Sequence, residues 1–369
     1  MIMIWWFYDP LVVVAMFLAY IIGFITLNII ASLIAPRVAR KLSNKFSFYT
    51  SMYIAGAIVF VGGFSAIYIL WLIIENLGYS ILFTDLIIFV IIMNVIMYII
   101  SPVIINVSYG AQHDPELQRL VDEAARRAGM KPPKAMIVNG PPNAFAYGNF
   151  LTGKYVAVTT GMLGIVDRNE LLGVIGHELG HHKHRDNFIM LFMGIIPSII
   201  YYLGLVFMRA GLTGGYGRQE RGGNPLLLLL LGVGAILLSL IIQVFILAFS
   251  RLREYYADAH GAYVAGNKEM QRALAKLHMY YSYNKEMREH IDSSKLRTLF
   301  IYALTDAIAN PFYPYSYRKN ISYRDIDEVI EKIKNSPVDP AKEVLSSHPP
   351  IPKRLRFLDN IFLKNERIR

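Results

Sequence analysis

The sequence predicts a mainly α integral membrane protein that carries an α+β polar domain split around a pair of membrane spans. Three observations predict it. The 369 residues are 54% hydrophobic but only 17% charged, against about 25% charged in ordinary soluble domains. Five apolar runs, at 11–35, 52–74, 86–105, 188–208 and 226–249, contain no charged residue. Each has the length of about 20 residues that a bilayer demands of a helix. Between and after these runs lie two polar segments, and one of them contains His177-Glu178-Leu179-Gly180-His181.

The spans come first in the chain. The first run has only Asp9 before it and no basic leader, and it is too long for a cleaved signal sequence. The Met, Trp and Tyr residues of positions 1–8 fit an interfacial belt. The loop after it carries Arg37, Arg40, Lys41 and Lys45 and no acid, so it reads as cytoplasmic. Glu75 and Asp85 mark the next loop as outer. Alternation then places 106–187 inside, the loop at 209–224 outside and everything from Ser250 inside. Arg209, Arg218 and Arg221 against Glu220 speak mildly against that order. The net charge of +10 follows from such loops and does not call for nucleic acid as a partner. The organisation expected is a membrane region over 1–105, a first catalytic part over 106–187, a transmembrane hairpin over 188–249 and a second catalytic part over 250–369.

The polar segments supply the chemistry. Glu116–Ala128 reads as a helix with Leu117, Leu120, Val121, Ala124 and Ala125 on one face, and 135–138 and 155–160 read as strands. The motif helix follows. Asp167 and Glu170 form an Asp variant of the capping box at its start. Positions four apart on a helix share a face with Cβ atoms about 5–6 Å apart, so His177 and His181 can hold one zinc ion. Glu178 sits beside that ion without binding it, which suits a general base acting on water. The plainer reading is a polar, His-rich helix end at a membrane surface. His182 and His184 point away from the pair and read as solvated or interfacial. Gly173, Gly176 and Gly180 are poor helix formers, and they suggest close packing on another element.

There is no cysteine, so disulfides and thiol nucleophiles are excluded and any zinc site uses histidine and carboxylate. A third ligand is available after the fifth run. In Ser250-Arg251-Leu252-Arg253-Glu254-Tyr255-Tyr256-Ala257-Asp258 two carboxylates lie four apart. Glu254 would complete a two-His, one-Glu set with a fourth position open. Asp258 would accept a hydrogen bond from the far N–H of a ligand histidine. Alternatively the two acids simply neutralise Arg251 and Arg253 on a helix surface.

These motifs together resemble the HtpX-type membrane zinc metallopeptidases, relatives of the CAAX prenyl proteases with a thermolysin-like (zincin) α+β catalytic core. Pro142-Asn143-Ala144-Phe145-Ala146 and Ser347-His348-Pro349-Pro350 with Arg354 add to the likeness, which runs from about Asp114 to Leu358. The resemblance implies one zinc ion per chain and Asn143 and Ala144 lining the substrate cleft, with Arg354 also on the substrate side. It implies that His348 stands near the metal and stabilises the oxyanion. It further implies a zinc endopeptidase of the cell membrane, multi-pass, its catalytic domain facing the cytoplasm and its substrates misfolded or damaged membrane proteins. Two other readings are a CAAX-type prenyl protease and a non-enzymatic membrane protein with a structural metal. The family is usually described with four spans, and this chain has a further one before its catalytic segment.

Overall fold

The computed structural model describes residues 80–213, 225–283, 326–338 and 348–366. The first two apolar runs, most of the glycine-rich loop and the basic loop after the first run lie outside the described residues. The chain divides into two compact units, Met1–Ile96 with Met190–Phe249, and Met97–Ile189 with Ser250–Arg369. The described residues are mostly helical, with one small sheet.

In the first unit, the described residues are helical. They belong to α1 (Ser80–Ser108), α5 (Asp186–Thr213) and α6 (Pro225–Ala265). Among the described residues, α5 and α6 are the two helices long and apolar enough to cross a membrane. They run antiparallel: Gly204 meets Ile236 and Gly232, and Gly211 meets Leu229. A Cβ added at Gly232 would stand 2.5 Å from the backbone nitrogen of Met208. Glycine is needed there because two helix backbones touch, which is how helices associate where no water drives them together. Met208 and Ile236 fill the seam, flanked by Leu205, Leu229 and Val233. Ser198 and Ser239 donate their hydroxyls to Gly194 and Ile236 carbonyls of their own helices, so neither leaves a polar group unpaired.

The second unit is built on a four-stranded sheet. After β1 (Gln112–His113) and α2 (Pro115–Ala128) come β2 (Lys134–Val138), β3 (Ala144–Asn149) and β4 (Gly153–Thr159). The order is β1-β2-β4-β3: β2 is parallel to β4, and the two outer strands are antiparallel to their neighbours. The strand expected at 135–138 is β2. The run at 155–160 is most of β4, except that Thr160 already opens α3 (Thr160–Ile165). β3 has no clean alternation of apolar and polar residues because both sheet faces are covered, so it was not legible as a strand. Ala135, Ala144, Val156 and Val158 face one core. Met136, Val138, Phe145, Tyr147 and Ala157 face the other, with Ile105 and Tyr109 packed on them.

The first of these cores is helical. Leu117, Val121, Ala124, Ala125 and Ala128 of α2 are buried in it. The expected capping box is present at the start of α4 (Arg168–Lys183): Asp167 accepts from the Glu170 backbone, and Glu170 reaches back to the Asp167 N–H. Lys276 of α7 (Asn267–Tyr283) donates to buried Glu170 at 2.6 Å. Helices α8 (Ile326–Lys334) and α9 (Ile351–Glu366) close the core through Ile330, Ile333, Leu355 and Leu358.

The glycines of α4 have the neighbour that their spacing suggested. A Cβ at Gly176 would lie 2.8 Å from Val264 Cβ and 3.1 Å from Gly261 Cα; one at Gly180 would lie 3.1 Å from Ala257 Cα. α4 therefore crosses the last turns of α6 almost backbone to backbone. That crossing carries Glu254 and Asp258 to the histidines.

Candidate metal centre

Three side chains converge. His177 Nε2 is 3.3 Å from His181 Nε2. Glu254 places Oε2 3.5 Å from His177 Nε2 and Oε1 3.5 Å from His181 Nε2. Ligands at about 2.0–2.1 Å on a tetrahedral centre stand roughly 3.3–3.4 Å apart. The ligand atoms of this trio all lie within 4.8 Å of one another, and no fourth His, Asp or Glu joins them among the described residues. Glu254 Oε2 is buried, and among the described residues nothing donates a hydrogen bond to it. A buried carboxylate oxygen without a donor is costly unless a cation meets it. The donor set therefore fits zinc.

The outer face of each imidazole is fixed by a carboxylate. His177 Nδ1 donates to Asp258 at 3.0 Å, and His181 Nδ1 donates to Asp186 at 2.6 Å. Each Nδ1 thus carries a proton, so Nε2 is the atom that each ring turns toward Glu254 and could offer to a cation. Each carboxylate is backed by an arginine. Arg354 Nε donates to Asp258 at 2.8 Å, and Arg253 pairs with Asp186 at 2.9 Å. The electrostatics favour positive charge at the trio. Burial opposes charge on His177, but the hydrogen bond to Asp258 and the Glu254 carboxylate outweigh it and raise the imidazole to about 10.

Glu178 is buried beside this set, and burial raises its carboxyl above the usual carboxylate range. It accepts a hydrogen bond from the Ala146 backbone of β3, so the base lies between α4 and the sheet's outer strand. His348 Nε2 is 3.6 Å from Glu254 Oε1. Burial pushes His348 down to about 4, with Arg354 acting in the same direction and Glu254 against it. It is a neutral imidazole at physiological pH.

Arg354, expected on the substrate side, is fully buried with its guanidinium on Asp258. Ala144 is fully buried in the core, and Asn143 is 3% exposed, its N–H on Thr159 Oγ1. His182 is not solvated. It is buried, pushed down to about 4 by that burial, and its Nε2 donates to the Tyr155 carbonyl at 2.8 Å. Asp186 and Arg253 are functional neighbours that the sequence reading missed. A signal existed for Asp186, since a lone acid opening an apolar run needs a partner.

Comparison with known proteins bears on the same stretch. A family model described as Peptidase family M48 matches residues 111–362. The chain belongs to that family. The "Protease HtpX homolog" of Pyrobaculum calidifontis is 49% identical over 344 residues, covering 93% of this chain and 96% of the relative. That of Archaeoglobus fulgidus is 46% identical over 359 residues, covering 97% and 99%. Among solved structures, the crystal structure of S. mikatae Ste24p aligns with a TM-score of 0.49 at 18% identity, covering 84% of this chain and 67% of that one. A likeness that distant carries no functional argument. Family and relatives make the chain a membrane metalloprotease of a zinc-dependent family.

Proposed function

We propose that the chain is a membrane-embedded zinc endopeptidase that hydrolyses peptide bonds in misfolded or damaged membrane proteins from the cytoplasmic face. The observation that carries the reading is the trio of His177, His181 and Glu254, with each histidine's Nδ1 tied to its own carboxylate. These three would hold one zinc ion per chain. When bound, zinc supplies a Lewis acid that polarises a carbonyl and makes water a better nucleophile near neutral pH.

The chain's own groups do the rest. Glu178, raised by its burial, takes the proton of the attacking water and hands it to the leaving amine. His348, neutral, donates an N–H toward the oxyanion that forms on the scissile carbonyl. Asp258 and Asp186 hold the ligand imidazoles in the tautomer that frees Nε2. β3 is the outermost strand of its sheet and lies on the Glu178 side of α4, so its backbone is suited to align an extended peptide. The full-length match to HtpX-named proteases favours protein substrates over prenylated C-termini. Three ligands rather than four favour a working site over a structural metal.

The test is Glu178→Gln, assayed for zinc content and for cleavage of casein and of a membrane-protein substrate. Zinc should stay at one per chain while turnover falls by about 10²–10⁴-fold. Near-normal turnover would refute the role given to Glu178. A chelator should abolish wild-type cleavage.

A further inference from the structure

The turn between β3 and β4 is built against the usual logic of turns. Its residues are Phe150, Leu151 and Thr152, and the two apolar side chains are 74% and 63% exposed. Polar residues and glycine normally occupy such a tip. Several of its polar groups, by contrast, are tied off. The Leu151 and Thr152 N–H groups both donate to Asn149 Oδ1, as does the Thr152 hydroxyl. The Thr152 carbonyl accepts from the Tyr155 hydroxyl at 2.9 Å. Gly148, at φ 126, is required as well, because a Cβ there would collide with the Gly153 carbonyl.

The same asparagine joins the turn to α1. Pro102 lies inside that helix. Lacking an N–H, it leaves the carbonyl four residues earlier, Tyr98, without its helical partner. Asn149 Nδ2 donates to that carbonyl at 3.0 Å and to Ile99 at 2.9 Å, and Ser101 Oγ adds a second donor to Tyr98. Further along, the Tyr147 hydroxyl donates to Asn106 at 2.6 Å. The hairpin therefore lies along α1 from Asn106 back to Tyr98. On the opposite face of the helix, Ile100, Val103, Ile104 and Val107 are all exposed, at the 3–4 spacing of one helix face. Tyr98 is seven residues before Ile105, where the apolar run ends, which is about 10 Å of helix.

We infer that the Phe150-Leu151 turn is a lipid-contacting wedge, seated on α1 below the end of its apolar run and inserted into the bilayer. The inference rests on reading α1 as a membrane helix. A bilayer is the occupant because the exposed pair is apolar and much of the backbone around it is satisfied. Lipid accepts apolar side chains but penalises unpaired backbone groups, and here the Leu151 and Thr152 N–H groups, the Thr152 carbonyl and the proline-orphaned carbonyl have partners. The exposed apolar face of α1 continues the same surface. Lys154, three residues past Leu151, turns its ammonium back to the His182 carbonyl at 3.0 Å, away from the turn. The wedge would hold the outer strand of the sheet, and with it the Glu178 side of the site, at the lipid surface.

The chain has no cysteine, so single labels are unambiguous. The full-length protein, reconstituted in phosphatidylcholine vesicles, is labelled with an environment-sensitive fluorophore at Phe150→Cys or Leu151→Cys. Ile92→Cys reports on α1, and exposed Lys131→Cys is the aqueous control. Lipids carrying a nitroxide on the acyl chain should quench both turn labels and Ile92, while iodide should quench Lys131 alone. Adding Asn149→Ala should return the Leu151 label to iodide, because the turn loses its anchor. Turn labels quenched by iodide while Ile92 is quenched by lipid would overturn the wedge and leave α1 in the membrane. Turn labels shielded from both quenchers would overturn it in favour of a protein contact. Failure of lipid to quench Ile92 would remove the membrane reading of α1 and the wedge together.

Discussion

Asp186 shows how much of this site depends on single residues outside the motif. It stands five residues past His181, after the helix ends, at a point where Arg185 adopts φ 55. That turn brings the carboxylate to within 2.6 Å of His181 Nδ1. Losing such a partner typically weakens metal affinity by 10–100-fold. Asp186→Ala should therefore need about 10–100-fold more free zinc for half activity, with near-normal turnover once saturated. Titration of the apo-protein with zinc, read by metal content and then by cleavage, checks both halves. An unchanged zinc affinity would reduce the Asp186–His181 contact to packing. His348 should behave oppositely. His348→Ala should leave zinc in place and lower kcat by about 10²–10³ with little change in KM, because an oxyanion donor acts mainly in the transition state. A steady-state comparison of the two constants decides it, and an equal loss in both would argue for a ground-state role.

At the scale of elements, the crossing of α4 and α6 sets the metal geometry. Gly176, Gly180 and Gly261 allow the two backbones to approach, and Glu254 and Asp258 arrive on α6 as a consequence. A side chain at Gly176 has no room against Val264. Gly176→Val should destabilise the second unit by about 1–3 kcal/mol, the usual range for overpacking. It should also lower zinc occupancy, since the helix bearing Glu254 must move away from the one bearing the histidines. Thermal unfolding with metal analysis tests this, and full occupancy at lowered stability would show that the ligands do not depend on the crossing. The glycine seam between α5 and α6 in the first unit is built by the same rule and carries no ligand.

For the whole molecule, the testable quantity is orientation. The histidines and Glu254 belong to segments on either side of one hairpin of apolar runs, so an even number of crossings must separate them if one ion is to bind both. Four basic residues after the first run resist translocation and place that loop inside. A cysteine at Ser43 should then be protected from an impermeant thiol reagent in intact cells, and one at Thr213 should be labelled. The reverse labelling would put the catalytic unit outside and end the cytoplasmic quality-control reading.

That His177, His181 and Glu254 could meet was legible in the sequence, because metal chemistry restricts residue type and helical spacing restricts position, and both survive without knowledge of the fold. The apolar runs at 188–208 and 226–249, which lie within α5 and α6, were legible as long apolar helices for a similar reason, and the run at 86–105 lies within helix α1. Tertiary structure decided the partners. Whether Arg354 meets a substrate or Asp258, whether His182 is wet or buried, and which carboxylate backs His181 are contacts between segments far apart in the chain or across a break in a helix. No local periodicity records them. β3 was hidden for a related reason, because a strand covered on both faces loses the alternation that marks a half-exposed one. The Phe150-Leu151 turn depends on another such relation, since Asn149 closes the gap that Pro102 leaves in a different element, 51 residues away in the chain.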